Sequence, residues 1–210
     1  MSKGYIDKIV KHYENCLQLY GDTHRGVDWP NEEDVRKRYK VMLDIVNFDN
    51  VVQNKPTLLD FGCGAAHIVN YISEKKIEIK YTGLDISEKF IALCRQKYPT
   101  IPFYCTDILV ENIELPRFDF VIMNGVFTEK REMSFEEMWQ YFCEMILKVF
   151  NIANRGVAFN VMSKAVAWER NDLFHLPTDM LIDFLTKNLS RHFIIRNDYG
   201  LYEYTTYVYK

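Results

Sequence analysis

The sequence lacks the features that define several large classes of protein. Its formal net charge is −3 and no five like charges run together, so it has no basic stripe of the kind that binds nucleic acid non-specifically. Its five cysteines form no CxxC pair, which argues against a zinc site or a disulfide framework and favours a reducing cytoplasm. No stretch approaches ~18 uninterrupted apolar residues. We therefore expect a cytoplasmic protein, a monomer or a homodimer, without nucleic-acid or membrane partners.

Repeats, low-complexity segments and Gly/Ser linkers are also absent, and the charged first residues, MSKGYIDKIVKHYENC, do not have the composition of a signal peptide. A chain of 210 residues is long enough for one domain with a full core. We expect one domain over 1–210, in which residues 1–50 form a helical N-terminal segment and residues 56–210 form the core.

From residue 57 onward, short apolar runs alternate with segments of helical character. The runs are TLLDF, IKYTGLD, IPFYCTD, FDFVIMN and RGVAFNVMS, and the helical segments between them are 65–76, 87–98 and 134–151. This alternation predicts a mostly parallel sheet with helices on both faces. Two further runs, HFIIRNDYG and YEYTTYVYK, flank a turn at Gly200 and predict an antiparallel last strand. The predicted fold is an α/β/α sandwich with seven strands.

The stretch LLDFGCG at 58–64 leaves the first predicted strand through two glycines. Ligands of an open parallel sheet bind beyond the carboxyl ends of its strands, and glycine allows both a sharp turn and a close approach to the main chain. Asp85 ends the next strand 23 residues after Gly62, the spacing of an acid that binds a ribose diol. His67 occupies the position of the third glycine of a dinucleotide fingerprint, so a nicotinamide cofactor is the weaker alternative.

Asp60, Gly62 and Gly64 together resemble the first motif of class I S-adenosylmethionine-dependent methyltransferases. CTDIL at 105–109 is similar to that family's adenine-binding segment, and FDFVIMNGVF at 118–127 is similar to its motif at the methyl-transfer point. The resemblance extends over nearly the whole chain, since the order of strands and helices matches the family's Rossmann-like core. It implies S-adenosylmethionine as methyl donor and S-adenosylhomocysteine as product.

The same resemblance implies a set of cofactor-binding residues. They are Asp60, Phe61, Gly62, Cys63 and Gly64 of the first motif, Asp85 and Ile86 after the second strand, Asp107 and Ile108 at the adenine, and Asn124 at the methyl-transfer point. Two residues before the first strand join the set, Trp29 as an aromatic wall and Arg38 as a partner of the cofactor carboxylate. Asp60 has an alternative role as a cap of the turn, and Asp85 as a helix cap, although Ser87 is available for that.

Two polar segments are candidates for the acceptor side. YGDTHRGVDWPN at 20–31 is expected to form a lid that excludes water and orients the acceptor, or else a polar surface loop. Within it, His24 is a candidate base because its ordinary pKa is near neutrality. The segment 160–177 carries a second candidate base, His175. With Asn124 these histidines complete the predicted catalytic set.

The sequence favours metal-free, in-line methyl transfer, because no carboxylate cluster is evident. Arg25, Lys164 and Arg170 are available to neutralise a phosphate. The predicted reaction is therefore O-methylation of a small polar metabolite such as a sugar, a sugar nucleotide or a phosphorylated compound, with surface polysaccharide synthesis as the associated pathway. The alternatives are a protein or RNA methyltransferase, and a protein that binds the cofactor to regulate a partner.

Overall fold

The computed structural model describes residues 3–47, 55–110 and 114–210. Two helices precede the sheet, α1 (Lys3–Tyr20) and α2 (Glu32–Asn47), and the loop between them contains a short 3-10 turn, His24–Val27. Acids fill the first turn of α2, where they complement the helix dipole. The two ends of the predicted N-terminal segment, residues 1–2 and 48–50, lie outside the described residues.

One seven-stranded sheet follows, with the spatial order β3-β2-β1-β4-β5-β7-β6. Its strands are β1 (Thr57–Phe61), β2 (Lys80–Asp85), β3 (Phe103–Cys105), β4 (Phe118–Met123), β5 (Ala153–Met162), β6 (Phe193–Arg196) and β7 (Glu203–Tyr209). The first five strands pair in parallel, whereas β7 lies antiparallel between β5 and β6. The predicted mostly parallel sheet with an antiparallel last strand is confirmed.

Four further helices connect the strands: α3 (Ile68–Glu74), α4 (Glu88–Lys97), α5 (Phe135–Ile152) and α6 (Thr178–Asn188). Ser134 caps α5 and forms a capping box with Glu137. The helix after β1 begins at Ile68, three residues later than the sequence predicted. The reason is the backbone of Ala66, whose φ of 53° lies in the left-handed region and delays the first helical turn.

The helices cover both faces of the sheet and bury it between them. On one face, α5 and α6 pack a cluster that includes Phe142, Phe159 and Leu185. On the other, α2 and α3 pack a cluster that includes Ile45 and Phe120. The result is the predicted three-layer sandwich. Among the described helices, none combines the length and the apolar character that crossing a membrane requires.

Candidate active site

A pocket opens at the carboxyl ends of β1, β2 and β4, the edge at which ligands of open α/β sheets bind. Its floor is the loop that follows β1. The amides of Gly62 and Cys63 both donate to the carbonyl of Leu84, at 2.8 and 3.0 Å, so this loop is fixed to the end of β2. Main-chain hydrogen bonds therefore set the position of the floor.

Two glycines give this floor its shape. Gly62 and Gly64 have φ values of 74° and 51°, a region that favours glycine. A Cβ atom on Gly62 would lie 2.7 Å from a methyl group of Val126, and one on Gly64 would lie 3.2 Å from Val27. Both glycines line the pocket. Larger residues would be strained and would push the neighbouring segments outward.

Asp85 joins the floor to the next helix. One carboxylate oxygen accepts a hydrogen bond from the amide of Gly64 at 2.8 Å, and the other accepts one from the amide of Ser87 at 2.9 Å. The Ser87 hydroxyl caps α4, so Asp85 is not needed for that. Burial raises the pKa of Asp85, although its bonds to the amides of Ser87 and Gly64 oppose the shift. The carboxylate lines the pocket, where ribose hydroxyls would be its remaining donors.

Asp60 is a buried carboxyl at the end of β1. The hydroxyl of Tyr81 donates to it at 2.8 Å. Burial raises the pKa of Asp60 to about 7, the hydrogen bond from Tyr81 opposes the shift, and the nearby charge of Asp85 adds to it. A buried carboxylate is costly without a positive partner. A sulfonium in the pocket would be such a partner, so Asp60 fits the charge of S-adenosylmethionine.

Asn124 lies after β4, and it is the second residue whose surroundings can be compared with the chemistry of S-adenosylmethionine. Its side-chain oxygen is buried and has no hydrogen-bond partner among the described residues. Unpaired buried oxygens are uncommon because each costs free energy. Asn124 lines the pocket beside Gly125 and the ring of Trp29. An amine or hydroxyl donor on a bound ligand would satisfy this oxygen.

The other residues implied by the resemblance are divided between the pocket and its surroundings. Phe61, Cys63, Ile86 and Asp107 line the pocket, whereas Ile108 packs against the core cluster on the α5 face. The pKa of the Cys63 thiol is raised by its contact with Cys94 and by burial, so it is not a reactive thiolate.

Three more predicted site residues, besides Ile108, do not line the pocket. His24 Nδ1 contacts the carbonyl of Trp29 at 2.6 Å, His175 Nδ1 contacts the carbonyl of Ser163 at 2.7 Å, and Arg38 donates to Glu203. Each of these side chains is therefore engaged by a protein group, and none of the three belongs to the pocket lining.

The cations considered for phosphate binding are also outside the pocket. Arg25 lies over the ring of Tyr20, 4.4 Å from its centroid. Lys164 pairs with Glu169 at 2.7 Å, and Arg170 pairs with Asp172. None of the three lines the pocket. This arrangement gives no support to a phosphorylated acceptor.

Sequence reasoning missed the wall opposite the glycines. It consists of Ile6, Ile9, Val10 and Tyr13 from α1. These residues recur at helical spacing, which identifies an apolar face of the helix but not what that face covers. Three of these four side chains are aliphatic, so the wall is mainly apolar.

Glu129 is a further pocket residue that the sequence did not indicate. It lines the same end of the pocket as Tyr13, and the charge of Glu129 helps to raise the pKa of that tyrosine after burial. Burial raises the pKa of Glu129 itself, although Arg131, whose Nε lies 2.8 Å from a carboxylate oxygen, opposes the shift. A carboxyl with a raised pKa in a pocket is a candidate general base.

Among the described residues, one group of three potential metal ligands lies near this end of the pocket: His12, Cys16 and Asp28. His12 Nε2 and Asp28 Oδ2 already contact each other at 2.8 Å, and the Cys16 sulfur lies 3.7 Å from the imidazole. The guanidinium of Arg131 lies 3.8 Å from the same Asp28 oxygen and would oppose a cation. We therefore assign no metal to this group.

Comparison with known proteins agrees with this geometry. A family model described as a methyltransferase domain matches residues 58–146. A Mycobacterium tuberculosis protein, "Putative methyltransferase Rv1506c", is 26% identical over 157 residues, which cover 72% of this chain and 91% of that protein.

Solved structures of similar fold include two that were crystallised with the cofactor or its product. Magnesium protoporphyrin IX methyltransferase from Synechocystis PCC 6803, with bound S-adenosylhomocysteine, superposes with a TM-score of 0.64 at 17% identity over 97% of this chain and 99% of that one. Human N-acetylserotonin methyltransferase, in complex with S-adenosylmethionine, has a TM-score of 0.67 at 13% identity over 100% of this chain and 60% of that one. These likenesses show that the chain has the same Rossmann-like fold as these class I methyltransferases.

Residues 58–146 thus match a methyltransferase domain, and the cofactor that such a domain implies is S-adenosylmethionine.

Proposed function

We propose that this methyltransferase methylates a hydroxyl group on a small acceptor with an apolar body, and that Glu129 is the base that receives the hydroxyl proton. The observation that carries the proposal is the composition of the pocket wall beside α1. It combines Ile6, Ile9 and Val10 with a single carboxyl, Glu129, among the described lining residues from α1 and from the segment after β4.

S-adenosylmethionine supplies a methyl group that its positive sulfonium already activates. The residues of this chain have to hold donor and acceptor in line, exclude water and remove a proton. Alignment can contribute on the order of 7–11 kcal/mol in favourable systems. The floor made of Gly62, Gly64 and Asp85 is suited to fix the nucleoside, and the apolar wall of α1 is suited to cover the acceptor.

Proton removal is the step for which Glu129 has the right environment. Its raised pKa makes it a stronger base than an exposed carboxylate, while Arg131 helps to keep a useful fraction ionised near neutral pH. A positioned base contributes about 10²–10⁴-fold to rate. Neither His24 nor His175 lines the pocket, so neither is placed for this step.

The acceptor proposed here is more apolar than the sugar or phosphorylated metabolite that the sequence suggested. Of the two structural relatives described above, one is named for magnesium protoporphyrin IX and the other for N-acetylserotonin. These names describe those proteins, and at such low identity only the fold is shared. They illustrate that this fold accommodates small organic acceptors. A role in surface polysaccharide synthesis has no support in the pocket.

Two measurements test the proposal in sequence. Calorimetric titration with S-adenosylmethionine, S-adenosylhomocysteine and NAD should show binding of the first two and none of NAD. A panel of hydroxylated aromatic compounds, with sugar nucleotides as the matched polar set, should then yield methylated product only from the aromatic set. Binding of NAD alone would refute the cofactor assignment, and product only from sugar nucleotides would refute the proposed acceptor.

A further inference from the structure

Glu203, the first residue of β7, carries a carboxylate that is almost completely buried, with 2% of its side chain exposed. Arg38 Nε donates to both carboxylate oxygens, at 3.0 and 2.9 Å. Asn160 Nδ2 donates to the same group at 3.0 Å. Three separate elements, α2, β5 and β7, thus meet at one buried charge.

Asn160 connects Glu203 to the pocket. It is fully buried on β5, and its side-chain oxygen accepts a hydrogen bond from the amide of Gly125 at 2.7 Å. A carboxylate only accepts hydrogen bonds, so Glu203 must face the NH₂ group of Asn160. The amide oxygen is then turned toward Gly125. The charge on Glu203 therefore determines which way the Asn160 amide points.

Arg38 reaches the same glycine by a second route. Its guanidinium lies over the ring of Trp29, 4.1 Å from the centroid. The Trp29 ring packs against Gly125 so closely that a Cβ atom there would lie 2.7 Å from the ring. Gly125 has a φ of 82°. Its unusual backbone is therefore held on one side by a hydrogen bond and on the other by an aromatic ring.

We propose that Glu203 is a positioning residue, which acts through Asn160 and through Arg38 and Trp29 to fix Asn124 and Gly125 at the wall of the cofactor pocket. A buried ion pair is weak evidence for stability, because desolvation offsets its attraction. This one ends on Gly125, which lines the pocket next to Asn124. The inference rests on the proposed use of that pocket for S-adenosylmethionine.

The test exchanges the side-chain amide of residue 160 and the side-chain carboxylate of residue 203. Asn160→Asp places a second carboxylate against Glu203 and is expected to weaken binding of S-adenosylhomocysteine by about tenfold, the usual effect of breaking one buried hydrogen bond. In the double variant Asn160→Asp with Glu203→Gln, the carboxylate is at position 160 and accepts from the Gly125 amide and from the new side-chain amide at position 203. The oxygen of that new amide accepts from Arg38. Affinity is expected to return to within about threefold of the wild type.

Hydrogen exchange of the Gly125 amide provides a readout that needs no ligand. Protection should fall in Asn160→Asp and return in the double variant, while the amides of β4 stay protected. Wild-type protein that binds no S-adenosylhomocysteine would refute the proposed function but leave this readout intact. Unchanged Gly125 exchange and affinity in Asn160→Asp would overturn the positioning role.

The pH dependence separates positioning from a loss of folding. In Asn160→Asp, one of the two carboxyls takes up a proton as the pH falls and can then donate to the other. Affinity relative to the wild type should therefore recover toward acidic pH. The other charged or titratable groups that act on Glu203 are Arg38 and Asp34 of α2 and Tyr199 before β7.

A matched control is available on the far side of α2. Asp44 pairs with Arg196 at 3.1 Å, each side chain is 17% exposed, and neither lines the pocket. Asp44→Asn should lower the melting temperature without changing affinity or Gly125 exchange. If all variants of the Glu203 network lost affinity only in proportion to their melting temperatures, as Asp44→Asn would, the positioning role would be wrong. If Asn160→Asp failed to fold, Glu203→Gln alone would give the same comparison.

Discussion

The two sides of the pocket are built in different ways. The side proposed to bind the cofactor is shaped mainly by backbone: Gly62 and Gly64 turn through left-handed conformations, and the Asp85 carboxylate is held by amide groups. The side proposed to bind the acceptor consists of side chains, from Ile6 and Val10 of α1 to Glu129. A main-chain site depends on a few residue types at fixed spacing. A side-chain site depends on which surfaces meet in three dimensions.

This difference predicts that changes on the two sides affect different steps. Substitutions at the floor should alter cofactor affinity, whereas substitutions beside α1 should alter turnover and acceptor choice. The following experiments test that separation.

The largest effect is expected for Glu129→Gln. Turnover of the acceptor found in the screen should fall about 10²–10⁴-fold, because the amide cannot take up the hydroxyl proton. Affinity for S-adenosylhomocysteine should stay within about threefold. The wild-type rate should rise with pH through the raised pKa of Glu129, since only the ionised carboxylate acts as base. The pH–rate profile of both proteins measures this.

Glu132→Gln is the control for that variant. Glu132 is an exposed neighbour that pairs with Lys8 outside the pocket, so its turnover should equal that of the wild type. If Glu129→Gln retained full turnover across the pH range, the base would have to be sought elsewhere.

A smaller but still large effect is expected on the cofactor side for Asp85→Ala. Affinity for S-adenosylmethionine should fall by about 100-fold, because the variant loses charged hydrogen bonds to the ribose and leaves the amides of Gly64 and Ser87 without their acceptor. Asp85→Asn keeps an acceptor oxygen, so its affinity for S-adenosylmethionine should fall less. Calorimetry measures both, and an unchanged dissociation constant for Asp85→Ala would remove the ribose assignment.

Asp60→Asn is expected to have a moderate, pH-dependent effect. The pKa of Asp60 is raised from 3.8 to about 7 in the folded protein, so the folded state binds this proton more tightly than the unfolded chain. The stability from that proton is complete below about pH 4 and is lost as the pH rises through about 7. The variant has no carboxyl at position 60, so it does not lose stability in this way as the pH rises. Its melting temperature relative to the wild type should therefore rise between pH 5 and pH 8, by about 2–4 °C for each kcal/mol.

The same substitution should weaken binding of the sulfonium form of the cofactor more than that of S-adenosylhomocysteine, which is uncharged at sulfur. Thermal scans at the two pH values and paired titrations test these expectations. A constant difference in melting temperature across this pH range would contradict the burial of a titrating carboxyl.

The smallest effect is expected for Ala66→Gly. Glycine relieves the left-handed backbone by about 1–2 kcal/mol, but it loses a buried methyl worth about 0.8 kcal/mol and adds about 0.5–1 kcal/mol of entropy to the unfolded chain. These contributions nearly cancel, so the melting temperature should change by no more than about 2–4 °C. Ala66→Val, β-branched at a positive φ and fully buried, should destabilise the protein clearly. A large change in Ala66→Gly would show that the loop depends on the Ala66 methyl.

The sequence predicted the fold well because the strands are buried on both faces and therefore appear as continuous apolar runs. It missed the start of α3, since the positive φ of Ala66 is imposed by the loop around it. In the site, residues tied to strand ends, such as Asp85 and Asn124, were placed in the pocket by their position along the chain.

Residues whose role depends on a distant partner were not predictable in this way. Arg38 pairs with Glu203, 165 positions away along the chain, and no local pattern in the sequence indicates this contact. His24 and His175 have the chemistry of a base, but one ring nitrogen of each contacts a nearby backbone carbonyl. Glu129 has no motif around it, because only burial beside Arg131 and Tyr13 sets it apart.

The position of α1 has a thermodynamic consequence for ligand capture. Its apolar residues Ile6, Ile9 and Val10 are only partly buried, and the surface they cover is the pocket itself. A bound ligand would cover these three side chains and bury the apolar face of α1. Association should then remove more apolar area from water than the ligand alone possesses, and this excess should appear as an unusually negative heat-capacity change.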